Sequence, residues 1–155
     1  MSPTLKQVLI NCREVELGCA RLYESFAHVF RAEPALSDLW AKTAREELQH
    51  ADQIALVIRT AHETVLSVTV GAHEAEIKIA KLRSMVREAS TRPPSVVDAL
   101  RQAIALEVEL GAFHADSAVV FADASTHKLM RALQAADQGH IGALKEALAR
   151  AGGAR

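Results

Sequence analysis

Four segments of the chain carry apolar residues at alternating steps of four and three, and each stripe is broken near its middle by one carboxylate. The stripes are Leu5, Leu9, Cys12, Glu16, Cys19, Tyr23, Phe26, Phe30; Leu36, Trp40, Thr43, Glu47, His50, Ile54, Val57, Ala61; Leu100, Ile104, Glu107, Gly111, His114, Ala118, Phe121; and Met130, Leu133, Asp137, His140, Leu144, Leu148. Steps of four and three keep residues on one face of an α-helix. Most of the stability of such a helix comes from burying that face against another element, so the pattern demands helices packed stripe to stripe. A charge inside a buried stripe is costly unless it is paired or bound to a cation. Glu16, Glu47, Glu107 and Asp137 therefore need an explanation that Glu14, off the stripe, does not.

At 155 residues, with 50% hydrophobic but only 4% aromatic side chains, the chain reads as one all-α domain with its own core. Helices are expected at about 4–31, 34–62, 73–89, 95–122 and 126–150. Thr4 is placed to cap the first, Glu33-Pro34 ends it, and Pro34 or Ser37 opens the second. Arg92-Pro93-Pro94 is a stop signal, Ser95 with Asp98 resembles a capping box, and Ser125 or Thr126 caps the last helix. The connection over residues 63–94 exceeds a simple turn and holds the apolar stretch VLSVTV before its own short helix. On that helix Ala75, Ile79, Leu82, Val86 and Ala89 form an apolar face, while Glu76, Lys78, Lys81, Arg83 and Arg87 are expected to be solvated.

A net charge of -1 with interspersed signs gives no basic stripe for nucleic acid. No signal-type start and no membrane-length apolar run are present, so a soluble, cytoplasmic protein is expected. Cys12 and Cys19 lie seven residues apart on one helix, about 10 Å at 1.5 Å per residue, too far for a disulfide. The absence of a C-x-x-C pair excludes zinc-ribbon and rubredoxin-type sites. Both cysteines read first as small core hydrophobes.

Within the second and fourth stripes the carboxylate is followed one turn later by a histidine, as Glu47-x-x-His50 and Asp137-x-x-His140. From Glu16 to Glu47 is 31 residues and from Glu107 to Asp137 is 30, so the two halves repeat as two helical hairpins. Glu109, which a repeat of VELG would select instead of Glu107, is rotated about 200° from it and falls off the stripe. Glu16, Glu47, His50, Glu107, Asp137 and His140 thus form one inventory of oxygen and nitrogen donors. Two divalent cations would neutralise its four carboxylates, with iron first and manganese or zinc as alternatives. Tyr23 and His114, each seven residues beyond a proposed ligand, either support those ligands or simply pack in the core. His28, His62, His73 and His127 lie off the stripes and read as surface residues.

At EELQHADQ and DQGHIGALKE the chain resembles the second and fourth helices of bacterioferritin, and the Glu16 to Tyr23 spacing is similar to that of bacterioferritin and rubrerythrin alike. The resemblance implies a ferritin-like four-helix bundle, here with a long connection between its second and third helices that carries an extra short helix. It also implies that Glu47 and Asp137 bridge two metals, while Glu16, Glu107, His50 and His140 are terminal ligands. Leu48 stands where bacterioferritin has its haem-ligating methionine, so no haem is expected. No cage-closing fifth helix follows Arg150, Ile104 replaces an additional rubrerythrin glutamate, and Asp137 is one methylene shorter than the usual glutamate. Either the fourth helix moves inward to compensate, which Gly139 and Gly142 make feasible, or Asp137 reaches only one ion, in which case the metal on the Glu107 and His140 side binds more weakly and reactivity with peroxide falls. The implied activity is a rubrerythrin-like peroxidase or a ferroxidase acting on peroxide or dioxygen, the peroxidase needing a separate electron donor. The alternatives are a non-catalytic metal-binding protein and a structural bundle with a vestigial site. An uncovered apolar helix face would make the protein a homodimer.

Overall fold

The computed structural model describes residues 5–60, 72–120 and 124–152. These form α1 (Leu5–Val29), α2 (Pro34–Thr60), α3 (Ala72–Thr91), α4 (Val96–Val120) and α5 (Ala124–Gly152), with no strand among the described residues. The VLSVTV segment, Ala61, His62 and Phe121 lie outside them. No described helix is long and apolar enough to cross a membrane.

The local signals act much as their chemistry dictates. Glu33 O accepts from Leu36 N at 3.0 Å and Ser37 N at 2.9 Å, opening α2 with Pro34 in its first turn. Ser37 Oγ then reaches back to Ala27 O at 3.0 Å and closes the α1–α2 corner. Ser95 Oγ accepts from Asp98 N at 3.1 Å, the N-cap bond expected ahead of α4, and its hydroxyl donates to Asp98 Oδ2 at 2.7 Å. Several boundaries differ from expectation by one or two residues: α1 ends at Val29, α3 runs on to Thr91, α5 extends to Gly152, and α5 begins at Ala124, which puts Ser125 and Thr126 inside its first turn.

Helix α1 packs along α2 and α3, α4 along α5, and α2 meets α5. The inward stripes supply the core, in which Leu9, Cys12, Cys19, Tyr23, Trp40, Ile54, Leu100, Met130 and Leu144 are fully buried. Trp40 stacks on Tyr23 at 5.6 Å and tilts against Phe26 at 5.0 Å. Truncating an aromatic residue in such a cluster costs about 3–5 kcal/mol, so the α1–α2 hairpin holds Tyr23 firmly at its place on the seam.

The third helix covers α1 through Ala75, Leu82 and Ala89. Lys78, expected in solvent, is instead buried: its Nζ lies 3.3 Å from Glu74 Oε1 and 5.7 Å from the Phe113 ring centroid. Position 78 falls between Ala75 and Leu82 at helical spacing, so its stem belongs to the apolar face and only the ammonium seeks water. Lys81, by contrast, is half-exposed and pairs with Glu109 at 2.7 Å. A Cβ at Gly18 would come within 2.9 Å of Leu82 Cδ1 and 3.3 Å of Leu82 Cβ. Gly18→Val is therefore expected to push α3 off α1 and destabilise the protein by about 1–3 kcal/mol, measured by urea denaturation. Unchanged stability would show that Leu82 repacks freely.

Candidate metal centre

Each carboxylate-bearing stripe delivers its polar residues to the same buried layer. Glu16, Glu47, Glu107 and Asp137 are each 0% exposed, and His50 and His140 are buried with only an edge accessible. Two groups form among the described residues, Glu16 with Glu47 and His50, and Glu47 with Glu107 and His140. In each group one ligand atom per residue lies within 4.8 Å of the others. Glu47 is common to both. Its Oε2 is 3.0 Å from His50 Nδ1 and its Oε1 is 3.1 Å from His140 Nδ1, so one oxygen faces each group. The remaining glutamates complete the arrangement, with Glu16 Oε2 at 3.3 Å from His50 Nδ1 and Glu107 Oε2 at 3.3 Å from His140 Nδ1. The two rings stack at 5.9 Å.

Asp137 stands apart from both groups. Its Oδ2 lies 2.8 Å from His114 Nδ1, while Oδ1 is buried without a hydrogen bond. The other nitrogen of His114, Nε2, lies 2.8 Å from Glu16 Oε1, a close ionic contact that is not aligned as a hydrogen bond. The inward shift expected of α5 has no support from Gly139 and Gly142, which face open space; the small residue opposite Asp137 is Gly111 on α4, whose added Cβ would sit 3.8 Å from Asp137 Cβ. At ~100° per residue, positions two and five beyond Asp137 point away from its face.

Tyr23 and His114 are cross-braces rather than inert packing. The Tyr23 hydroxyl donates to Glu107 Oε1 on α4, and His114 on α4 contacts Glu16 on α1. Each residue lies two turns beyond one glutamate and serves the opposite one. Glu46 is a participant that the stripes do not indicate: its Oε2 lies 3.1 Å from His140 Nε2. It flanks the seam on α2, and only the approach of α5 gives it a role. With Nε2–H donating to Glu46, His140 Nδ1 faces Glu47 and Glu107, donating its proton to them in the metal-free protein and able to offer its lone pair to an ion once that proton leaves.

Electrostatics follow from packing four carboxylates with three imidazoles in a dry layer. Burial pushes the Glu16 carboxyl up, but the charge of His114 and close polar contacts with His114, His50 and Glu47 bring it down to about 2. Burial, with the charge of Glu47 adding to it, raises Glu107 to about 7 against the opposing bonds from His140 and Tyr23. Burial lowers the imidazoles, yet their carboxylate partners outweigh it, so His50 rises to about 9, His114 to about 10 and His140 to about 11. Burial and then the surrounding carboxylates push the Cys19 thiol well above its ordinary range, which keeps it a thiol.

The donor set fits divalent cations. Glu47 Oε1 and Asp137 Oδ1 are buried acceptors without hydrogen bonds, and neither group of candidate ligands includes a cysteine; oxygen and imidazole donors suit iron or manganese and also admit zinc. A cavity of about 360 Å³ between α2 and α5, walled by Thr43, Glu46, His50, Gly139, His140 and Ala143, leads to the two rings. His28, His73 and His127 are exposed, away from this layer. No family model, curated protein or solved structure matches the chain.

Proposed function

We propose that the chain is a ferritin-like di-metal carboxylate protein, holding two ions, iron by preference, and acting as an oxidoreductase on peroxide or dioxygen. The observation that carries this reading is the pair of buried Glu/Glu/His groups joined through Glu47. Glu16, Glu47 and His50 would hold one ion, and Glu47, Glu107 and His140 the other, with Asp137 beside them. Two ferrous ions bound there would supply one electron each to the oxidant.

The protein's own residues provide position, dryness and protons. Tyr23 fixes the outer oxygen of Glu107, and Glu46 fixes the His140 tautomer. Cys12, Cys19 and Leu144 on the same seams, and Ala103 and Leu110 beside them on α4, are fully buried and exclude water. The α2–α5 cavity admits a molecule the size of peroxide to the His50 and His140 edges. Reducing peroxide to two waters takes two protons, and Glu46, whose side chain is 35% exposed, is the carboxylate at the cavity wall that exchanges them with solvent. External electrons would be needed for each further turnover.

Anaerobic ferrous loading followed by elemental analysis is expected to give two ions per chain, and rapid mixing with peroxide to oxidise both with one peroxide consumed. Failure to load ends the metal reading. A non-catalytic metal-binding role is favoured by one observation, the engagement of Asp137 with His114; it predicts full loading with oxidation no faster than that of free ferrous ion.

A further inference from the structure

A carboxylate shared by two ions must present an oxygen to each, and Glu47 does this, with Oε2 toward His50 and Oε1 toward His140. Asp137, the corresponding residue of the other hairpin, does not. His114 Nδ1 holds its Oδ2 at 2.8 Å, leaving only Oδ1 without a partner. The same ring reaches Glu16 Oε1 at 2.8 Å through Nε2, and an imidazole is rigid, so Asp137 and Glu16 are tied to one small body. The cross-brace on the other side is different in kind. Tyr23 spends its single O–H on Glu107 and ties no second carboxylate.

His114 is itself held in place. It is 0% exposed and tilts against Phe113 at 5.8 Å, and Phe113 in turn lies beneath the buried Lys78 of α3. A shorter arm on α5 and a fixed ring on α4 act in the same direction.

We propose that His114 is a positioning residue that commits Asp137 to the Glu16 side of the centre, making the two ion positions unequal. This rests on the di-metal reading. Asp137 stands outside both groups, but its unpartnered Oδ1 would join Glu16, Glu47 and His50 as a fourth protein donor once an ion binds there, while the Glu47, Glu107 and His140 group would keep three. The second position is the weaker one and has more room for an exogenous ligand.

Titrating the metal-stripped full-length protein with cobalt(II), followed by calorimetry and visible absorption, tests this without reference to activity. The natural protein is expected to bind two ions in separate steps at least about tenfold apart in affinity, within the range a supporting group controls. Azide should perturb the absorption only after the second equivalent enters. His114→Leu, which releases Asp137 to serve both ions, should draw the steps together. Asp137→Asn, nearly isosteric and unaffected by any folding defect of the leucine variant, should weaken the first step and leave the second unchanged. Two equal ions in the natural protein would overturn the inference while leaving the di-metal reading intact, as would an unchanged titration in both variants. No uptake by any form would overturn the reading and the inference together.

Discussion

Glu47→Ala is expected to abolish uptake of both metal ions, whereas Glu16→Ala and Glu107→Ala each abolish one. The difference follows from membership: Glu47 belongs to both buried groups, and the other two glutamates to one each. Even a supporting partner of a ligand is worth about 10–100-fold in metal affinity. Loss of a shared ligand should exceed the upper end of that range at each position. Glu109→Ala is the control, because Glu109 is half-exposed and paired with Lys81 at 2.7 Å on the α3–α4 surface, a contact worth about 0–1 kcal/mol. The measurement is the metal-to-chain ratio after loading and desalting, with circular dichroism showing that each variant folds. Retention of one ion by Glu47→Ala would mean that the two groups do not share it; loss of metal from Glu109→Ala would move the site away from the seam.

The seams were legible because a carboxylate inside a four-three stripe is a local anomaly, detectable from spacing alone. That is why Glu16, Glu47, Glu107 and Asp137 fall in one buried layer where the stripes put them, and why Glu109 faces Lys81. What spacing cannot convey is which partner a buried side chain takes. His114 sits on its stripe as an apolar core residue would, and its link from Glu16 to Asp137 exists only once α1, α4 and α5 meet. Glu46 carries no periodic signal, since one step from Glu47 turns it about 100° off the seam, and it acquires a role only from His140 across the interface. Lys78 was legible in principle: its place between Ala75 and Leu82 outweighs its charge, because four methylenes can be buried while the ammonium reaches Glu74.

The metal-free protein is expected to be most stable between about pH 4.5 and 6.5 and to weaken as pH rises, while the stabilisation added by metal grows over the same range. His50, His114 and His140 have folded values raised from 6.5 to about 9, 10 and 11, so their stabilisation is complete below 6.5 and is lost as pH climbs through those values. Glu107, raised from 4.5 to about 7, contributes below 4.5 and loses that contribution as pH passes about 7. Glu16 works in the opposite direction, since its lowered value of about 2 gives stabilisation that is present above 4.5 and lost on acidification. Together these confine the optimum to the mildly acidic range. Metal reverses the trend, because His50 and His140 must release their protons to offer Nδ1 to an ion, and each ion bound therefore expels at least one proton. Apparent affinity should rise by about tenfold per pH unit for each such proton between about pH 6 and 8. Thermal melts of stripped protein with and without manganese(II), which avoids redox change, would measure both trends. A metal-induced shift in Tm that stays flat with pH would show that the histidines keep their protons and are not ligands. Metal-free stability rising from pH 6.5 to 9 would mean that the folded imidazoles bind fewer protons than the unfolded ones, so that burial rather than carboxylate pairing governs the layer.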